Sequence, residues 1–442
     1  MTTPTDHDLP PVLRDVAIQP DHPRYPGVRS TYIRGGAPAL VLQPRTTAEV
    51  AAALIHAQAR PGPLSIRSGG HGISGRSTNV GGTVIDLRRL DDVEVLDEAT
   101  RLVRVGPGAR WAEVATALAP YGWAITAGDY GGTGVGGLAT AAGVGWLARS
   151  HGLTIDHVRA VEIVLADGTV TRASATENPD LFWAVRGAGA NFGIVTAFEM
   201  QAAEVGDVGF ARLIVDAGDT AGFLERWAKA VAGSPRDLTS FVTAWRSGPG
   251  QVIAQVMVVV DTPAADLETF RSLLAPIADA GPVLARSVHV VPYAATVVDP
   301  HAPHDAVGEP SIHSAFVDAI TPALAADLGR LLHRDDAHLL QVRSLGGAVA
   351  DVAPEATAYA HRNAGFHLLA TGRDAARLDP AWDALRPHFR GLYLSFETDQ
   401  RPERLLDAFP PATLNRLRHL KARYDSHNVF RDNFNIAPAV PA

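Results

Sequence analysis

Arg67-Ser68-Gly69-Gly70-His71-Gly72-Ile73-Ser74-Gly75 sets one imidazole in a loop stripped of side-chain bulk. Glycine accepts positive φ and lets the main chain approach a ligand closely. Consecutive N–H groups in so tight a loop form a concave nest suited to a pyrophosphate. The stretch therefore reads as a cofactor-binding loop, with His71 the residue to explain.

The pattern around it is α/β. Upstream, Thr46 followed by Glu49 is a capping-box pair ahead of the helix VAAALIHAQA, and PLSIR is a strand that runs straight into the glycine loop. TVIDLRRL and RLVRVGPG are further strands, and WAEVATALAPYG is a helix. A second glycine-dense stretch runs from Gly128 to Gly137 and on through Gly143 and Gly145 to Trp146. After it, VRAVEIVLADGTVTRAS forms a hairpin on the Asp167-Gly168 turn, and NPDLFWAVRGAGANFGIVTAFEM gives helix, loop and strand.

From about Gly206 to about Gln400 glycine thins out, and the chain reads as a second domain. Strand-like runs VGFARLIVD, QVIAQVMVVVD, SIHSAFVDAI, HLLQVRSLGG, AGFHLLATG and LYLSFET alternate with the amphipathic helices AGFLERWAKAVAG, ADLETFRSLLAPIADAG, PALAADLGRLLHRD and LDPAWDALRP. The tail ATLNRLRHLKARYDSHNVFRDNFNIAP is a helix, a turn at Asp425-Ser426 and a strand or coil.

Composition narrows the function. A chain of 442 residues with 46% hydrophobic and 19% charged residues forms more than one globular core. A net charge of −8 without a dense basic cluster disfavours nucleic acid. With no cysteine, disulfides, thiolate metal sites and cysteine nucleophiles are excluded. The seventeen histidines show no paired ligand spacing, so no metal is assigned. The polar N-terminus lacks a signal-peptide pattern and no apolar run is long enough to span a membrane, so a cytoplasmic protein is expected. Gly134-Val135-Gly136-Gly137 misses the dinucleotide fingerprint, and no P-loop ending occurs.

Taken in order, Arg67 to His71, Gly134 to Gly137, Gly143 to Arg149, Gly152 to Val158, Asn178 to Gly187, Asn191 to Val195 and Tyr424 to Phe430 resemble the vanillyl-alcohol-oxidase-type flavoproteins. Within them the chain is most similar to the berberine-bridge-enzyme-like branch. The resemblance implies an α+β fold. A PCMH-type FAD-binding domain of two subdomains spans 1–205, an inserted substrate domain of antiparallel sheet covered by helices spans 206–400, and 401–442 returns to the FAD domain.

It further implies FAD joined through its 8α carbon to His71. The first loop would hold the cofactor with Arg67, Ser68, Gly69, Gly70, Gly72 and Ser77, and the second with Gly128, Tyr130, Thr133, Gly134, Gly136 and Gly137. Gly143, Gly145, Trp146, Gly152, Asp156 and Val158 would follow, then Gly193, Ile194 and Val195, and Asn433 and Asn435 from the tail. Many relatives carry a second tether, a cysteine where this chain has Tyr130, so a doubly linked flavin is impossible here. Tyr130 either lines the pocket or is a packed loop residue. Thr133 stands where the family often has an aliphatic residue that influences oxygen access.

The implied reaction is transfer of a hydride from an alcohol, amine or secondary-metabolite carbon of a small molecule to flavin N5, with O2 reoxidising the flavin to give H2O2. A cyclase or a dehydrogenase with another acceptor, and a non-catalytic flavin-binding protein, are the alternatives. Tyr393 in Gly391-Leu392-Tyr393-Leu394-Ser395-Phe396 matches the family's Tyr-x-Asn-Tyr/Phe tyrosine, with Ser395 in place of the asparagine. It is either the base, assisted by Arg343, or a half-buried strand residue. His313, His367 and Glu397 are taken as structural.

Overall fold

The computed structural model describes residues 9–248, 250–261, 266–301, 304–309 and 311–440. The signal-peptide reading of the first eight residues, and the start of one helix at Ala265, lie outside them. The Thr46 hydroxyl accepts the Glu49 N–H at 3.1 Å, and the Glu49 carboxylate accepts the Arg45 N–H at 2.6 Å, capping the helix Thr47–Gln58. Val50, Ala53 and Leu54 of that helix pack on Leu40, Leu42 and Ile85 of a four-stranded sheet. Its strands Leu40–Leu42, Thr83–Asp86 and Leu64–Arg67 run parallel, with Ala17–Ile18 antiparallel at one edge. Parallel register sets Arg67 beside Asp86 where the chain leaves the sheet for the glycine loop.

A second, antiparallel sheet follows in the order Val93–Asp97, Leu102–Val105, Ile194–Gln201, Val158–Val164, Val170–Ser174. Gly168 at φ +84° makes the turn between its last two strands.

The third sheet has seven antiparallel strands, in the order Val283–Pro292, Asp207–Asp216, Gln251–Val260, Leu238–Gly248, Leu339–Ser344, Phe366–Gly372, Ser311–Val317. Helices Thr220–Ala232, Leu267–Ala278, Pro322–His333 and Ala375–Asp383 cover one face. Successive strand residues point to opposite faces. Leu340 and Val342 join the core under the helices, so Arg343 turns to the other face, which packs on the N-terminal half. There Trp146 stacks on Phe241 with ring centroids 4.5 Å apart, an arrangement that adds about 0.5–1.5 kcal/mol beyond area burial.

Two strands of this sheet, Leu238–Gly248 and Val283–Pro292, were not foreseen, and one expected strand is absent. The segment LYLSFET meets the edge strand Ser311–Val317 backbone to backbone only at its two ends, where Gly391 just ahead of it bridges Phe316 and the Thr398 N–H donates to the Ile312 carbonyl at 3.0 Å, and between them it closes into a 3-10 turn at Leu394–Phe396. The ladder stops because side chains take over its hydrogen bonds. Ser314 Oγ accepts the Tyr393 N–H at 3.0 Å, and the buried Glu397 carboxylate accepts the N–H groups of Ser314, Thr398 and Asp399. Tyr393 is therefore a turn residue, held by this polar cluster instead of by alternation along a strand.

Candidate functional site

Two glycine loops meet backbone to backbone. A Cβ on Gly134 would lie 2.1 Å from the Gly69 nitrogen, and one on Gly69 would lie 2.3 Å from the Gly134 nitrogen. Neither position accepts a side chain. Ser68 bolts the contact, its hydroxyl donating to the Pro107 carbonyl at 2.5 Å and accepting the Gly136 N–H at 3.2 Å. The Ile73 N–H donates to the Ser395 carbonyl at 3.2 Å, joining the first loop to the Tyr393 turn.

A cavity of about 440 Å³ opens between these parts. The residues expected to hold the cofactor line it in large part: Ser68, Gly69, Gly70, His71, Gly72 and Ser77 from the first loop, Gly128, Tyr130, Thr133, Gly134, Gly136 and Gly137 from the second, with Gly193, Ile194, Val195 and Asn433. Tyr393 and Arg343 face the same space. Sequence reasoning missed Tyr32, Asp129, Arg76 and Asp432. Asp129 stands inside the quoted glycine stretch beside Tyr130 and was within reach of that reading; Tyr32 carries no local signal.

Eight expected cofactor residues do not line the cavity. Arg67, fully buried, is consumed by Asp86 at 2.9 Å and positions the strand end. Asp156 accepts from Arg362 at 2.7 Å and caps Leu153 at 2.9 Å, with Gly152 packed on its side chain. Gly143 donates its N–H to the Tyr393 phenolic oxygen at 3.0 Å. Gly145 abuts the Ala127 carbonyl, Trp146 stacks on Phe241 of the seven-stranded sheet, and Val158 starts a core strand. Asn435 is exposed.

His71 sits between Tyr32 and Tyr130, each 5.0 Å away between ring centroids. Burial, then the neighbouring His304 and Arg110, push its pKa down to about 4 against the opposing pull of Asp299. At neutral pH the imidazole is uncharged and carries a lone pair, the form a nucleophile needs. Arg343 holds Asp129 at 3.0 Å, its guanidinium lying over the rings of Phe241 and Phe396 at 5.1 and 4.7 Å. Burial pushes the Tyr393 phenol above its ordinary value, while the Ser395 hydroxyl, the Gly143 N–H and the Arg343 charge each pull the other way.

The cavity fits FAD. A Cβ on Gly72 or Gly137 would meet nothing within 4 Å, so bare backbone faces the space. Among the described residues no protein group accepts from the N–H groups of Gly70, His71 or Gly72. The buried Ser77 hydroxyl has no protein partner. Free donors of this kind suit a pyrophosphate, and Leu64, Ile66, Leu87 and Phe430 supply apolar wall for rings. Among the described residues no cluster of acidic, histidine or cysteine side chains could hold a metal, and no helix is long and apolar enough to cross a membrane.

Residues 38–174 match the FAD binding domain family, and 409–437 match the berberine and berberine-like family. The chain is 29% identical over 434 residues to (R)-6-hydroxynicotine oxidase of Paenarthrobacter nicotinovorans, covering 91% of each. It is similar to the crystal structure of 6-hydroxy-D-nicotine oxidase from Arthrobacter nicotinovorans, with a TM-score of 0.82 and 25% identity over 96% of this chain and 98% of that one. Its fold is also that of glucooligosaccharide oxidase from Acremonium strictum, studied for its 6-S-cysteinyl, 8α-N1-histidyl FAD, with a TM-score of 0.81 and 20% identity over 97% and 98% of the two chains. The glycine loops, the cavity and both matches agree: the chain carries an FAD binding segment and a berberine-like segment, and it is similar over most of its length to FAD-linked oxidases.

Proposed function

We propose that this protein is an FAD-dependent oxidase that removes a hydride from an alcohol- or amine-bearing carbon of a small molecule, passes the electrons to O2, and holds FAD by a single covalent bond from His71. The observation that carries the reading is one cavity walled on one side by the His71 loop and on the other by Tyr393 and Arg343. Bound FAD supplies the hydride acceptor. The relatives that match over most of the chain support the reaction class, and the absence of cysteine removes any second, cysteinyl tether.

Each side chain has a task. The neutral His71 imidazole is the tether. Tyr393 hydrogen-bonds the substrate hydroxyl or amine, and takes its proton when the phenol is itself deprotonated, a form that grows as pH rises past 10. Gly143 orients the phenolic oxygen by donating to it. Arg343, clamped by Asp129 and two aromatic faces, fixes the polar corner of the cavity beside the phenol. Phe396, packed on both Arg343 and Tyr393, shields it from water.

The test is direct. Denatured purified protein should carry the mass of one FAD, and anaerobic addition of secondary amines or sugar alcohols from a panel should bleach the flavin, with H2O2 appearing on admission of air. Protein that loses all flavin on denaturation overturns the tether. A flavin that no member of the panel reduces overturns the oxidase assignment.

A further inference from the structure

His71 is met at one nitrogen by a second imidazole. Its Nε2 lies 3.2 Å from Nε2 of His304, and the rings meet edge-on with centroids 4.9 Å apart. Two neutral imidazole nitrogens at this separation share one proton, one ring donating N–H and the other accepting on its lone pair. His304 is brought there from the inserted domain: the Gly35 N–H donates to Gly308 at 3.3 Å and Arg34 pairs with Glu309 at 2.8 Å, fastening the 304–309 segment to the first subdomain. The charges around the pair are Arg110, Asp299, Arg67, Arg88 and Asp86. Arg67 and Arg88 are already committed to Asp86. Burial keeps His304, like His71, neutral at physiological pH, with its pKa pushed down to about 4.

We propose that His304 is a positioning residue for covalent attachment of the flavin: it accepts the Nε2–H of His71, fixing the tautomer whose lone pair is on Nδ1, and receives that proton as Nδ1 bonds to the flavin 8α carbon. This rests on the tether proposed above. In the step a C8α–H bond breaks and an Nδ1–C8α bond forms. The two electrons of the broken bond enter the flavin ring, and the C8α proton and the imidazole proton, the latter relayed by His304, balance them. Dioxygen then removes two electrons and two protons as H2O2, leaving an oxidised, tethered cofactor. Without His304 the same lone pair can sit on either nitrogen, and the departing proton has no acceptor at 3.2 Å.

The experiment follows attachment, not turnover. Flavin-free protein from a riboflavin-starved host is mixed with FAD, quenched in acid at intervals, and read by intact mass and by the fluorescence of the denatured band. Wild type should acquire one FAD, linked through Nδ1 on peptide fragmentation. His71→Ala should bind FAD reversibly and acquire none. His304→Ala and His304→Gln should bind FAD reversibly with unchanged affinity, which reports folding, but attach it about 10²-fold more slowly. Added imidazole should restore the rate of the alanine variant and not of the glutamine one, which a purely structural role for His304 does not predict. Attachment by both variants at about the wild-type rate, linkage through Nε2, or absence of imidazole rescue overturns the role of His304 while leaving the tether standing. A wild type that acquires no covalent FAD overturns the tether, and this role with it.

Discussion

The two walls of the cavity are built by opposite means. The N-terminal wall is main chain: Gly69 lies on Gly134 with no room for a methyl group, and Gly72 and Gly137 present bare backbone to the space. The wall from the seven-stranded sheet and its edge turn is side chain: Arg343 projects from a strand whose neighbours Val342 and Leu340 point the other way, and Tyr393 projects from a turn held by Ser314 and Glu397. The first wall is suited to a constant ligand and the second to a variable one. Backbone donors recognise a pyrophosphate whatever the side chains do, whereas each new substrate needs new side chains on the opposite sheet.

The comparison breaks most severely at Gly134. A Cβ there meets the Gly69 nitrogen at 2.1 Å and Ser68 Oγ at 2.2 Å, so Gly134→Val should part the loops, destabilise the protein by about 1–3 kcal/mol and abolish flavin retention. Thermal unfolding and the ratio of flavin to protein absorbance measure both effects. An untouched flavin content would mean that the loop contact is not part of the cofactor wall.

On the other wall, Tyr393→Phe should leave flavin content unchanged and slow flavin reduction by substrate about 10²-fold, measured by anaerobic stopped flow. Since burial raises the phenol's pKa, the wild-type reduction rate should climb with pH past 10 and that of the variant should stay flat. Equal rates in the two proteins would reduce Tyr393 to a packing residue.

Arg343→Met should be milder for binding of FAD than for substrate. Removing the guanidinium strands the Asp129 carboxylate in the cavity, and reduction should slow by about tenfold or more, with flavin content retained. A loss of flavin equal to the loss of rate would place Arg343 on the cofactor side and erase the contrast between the walls.

The smallest effect sharpens the comparison. Gly137→Ala adds a methyl with nothing within 4 Å, so flavin-free protein should unfold within about 0.5 kcal/mol of wild type while its affinity for FAD falls. Titration of flavin-free protein with FAD reads the second quantity independently of the first. A fall in stability without a fall in affinity would assign this glycine to the fold.

Acid should act on the tether through His71 itself. A histidine whose folded pKa lies near 4, below its unfolded value of 6.5, stabilises the fold fully above 6.5, and that contribution is lost as pH falls from 6.5 towards 4. Attachment of FAD should be flat through neutral pH and decline only near 4, when the nucleophile protonates. Flavin-free wild-type protein, scanned by acid titration and by acid-quenched flavin incorporation, checks the two windows.

Both glycine loops, the cap at Thr46, the Asp167-Gly168 hairpin and the four helices over the seven-stranded sheet were legible in the chain, because each is governed by neighbours within a few residues. The strands Leu238–Gly248 and Val283–Pro292 went unread, the latter mostly exposed and lacking the contrast that marks a buried strand. LYLSFET alternates like a strand, yet its own Glu397, bonded to the N–H of the remote Ser314, holds it in a 3-10 bend. Arg67 and Asp156 belong to the family pattern but serve the frame, each bound to a buried opposite charge.

By itself the sequence determined the main-chain half of the site, because the need for bare backbone can be met only by glycine and is written as glycine. It also excluded a cysteinyl tether, since no cysteine exists. The tertiary structure decided which side chains share the space. Tyr393 and Arg343 lie 250 and 199 residues from the Gly143 and Val144 backbone atoms they meet, and His304 lies 233 from His71. Pairings at such distances depend on how sheets stack and which face of a strand is covered, and no local pattern of residues records them.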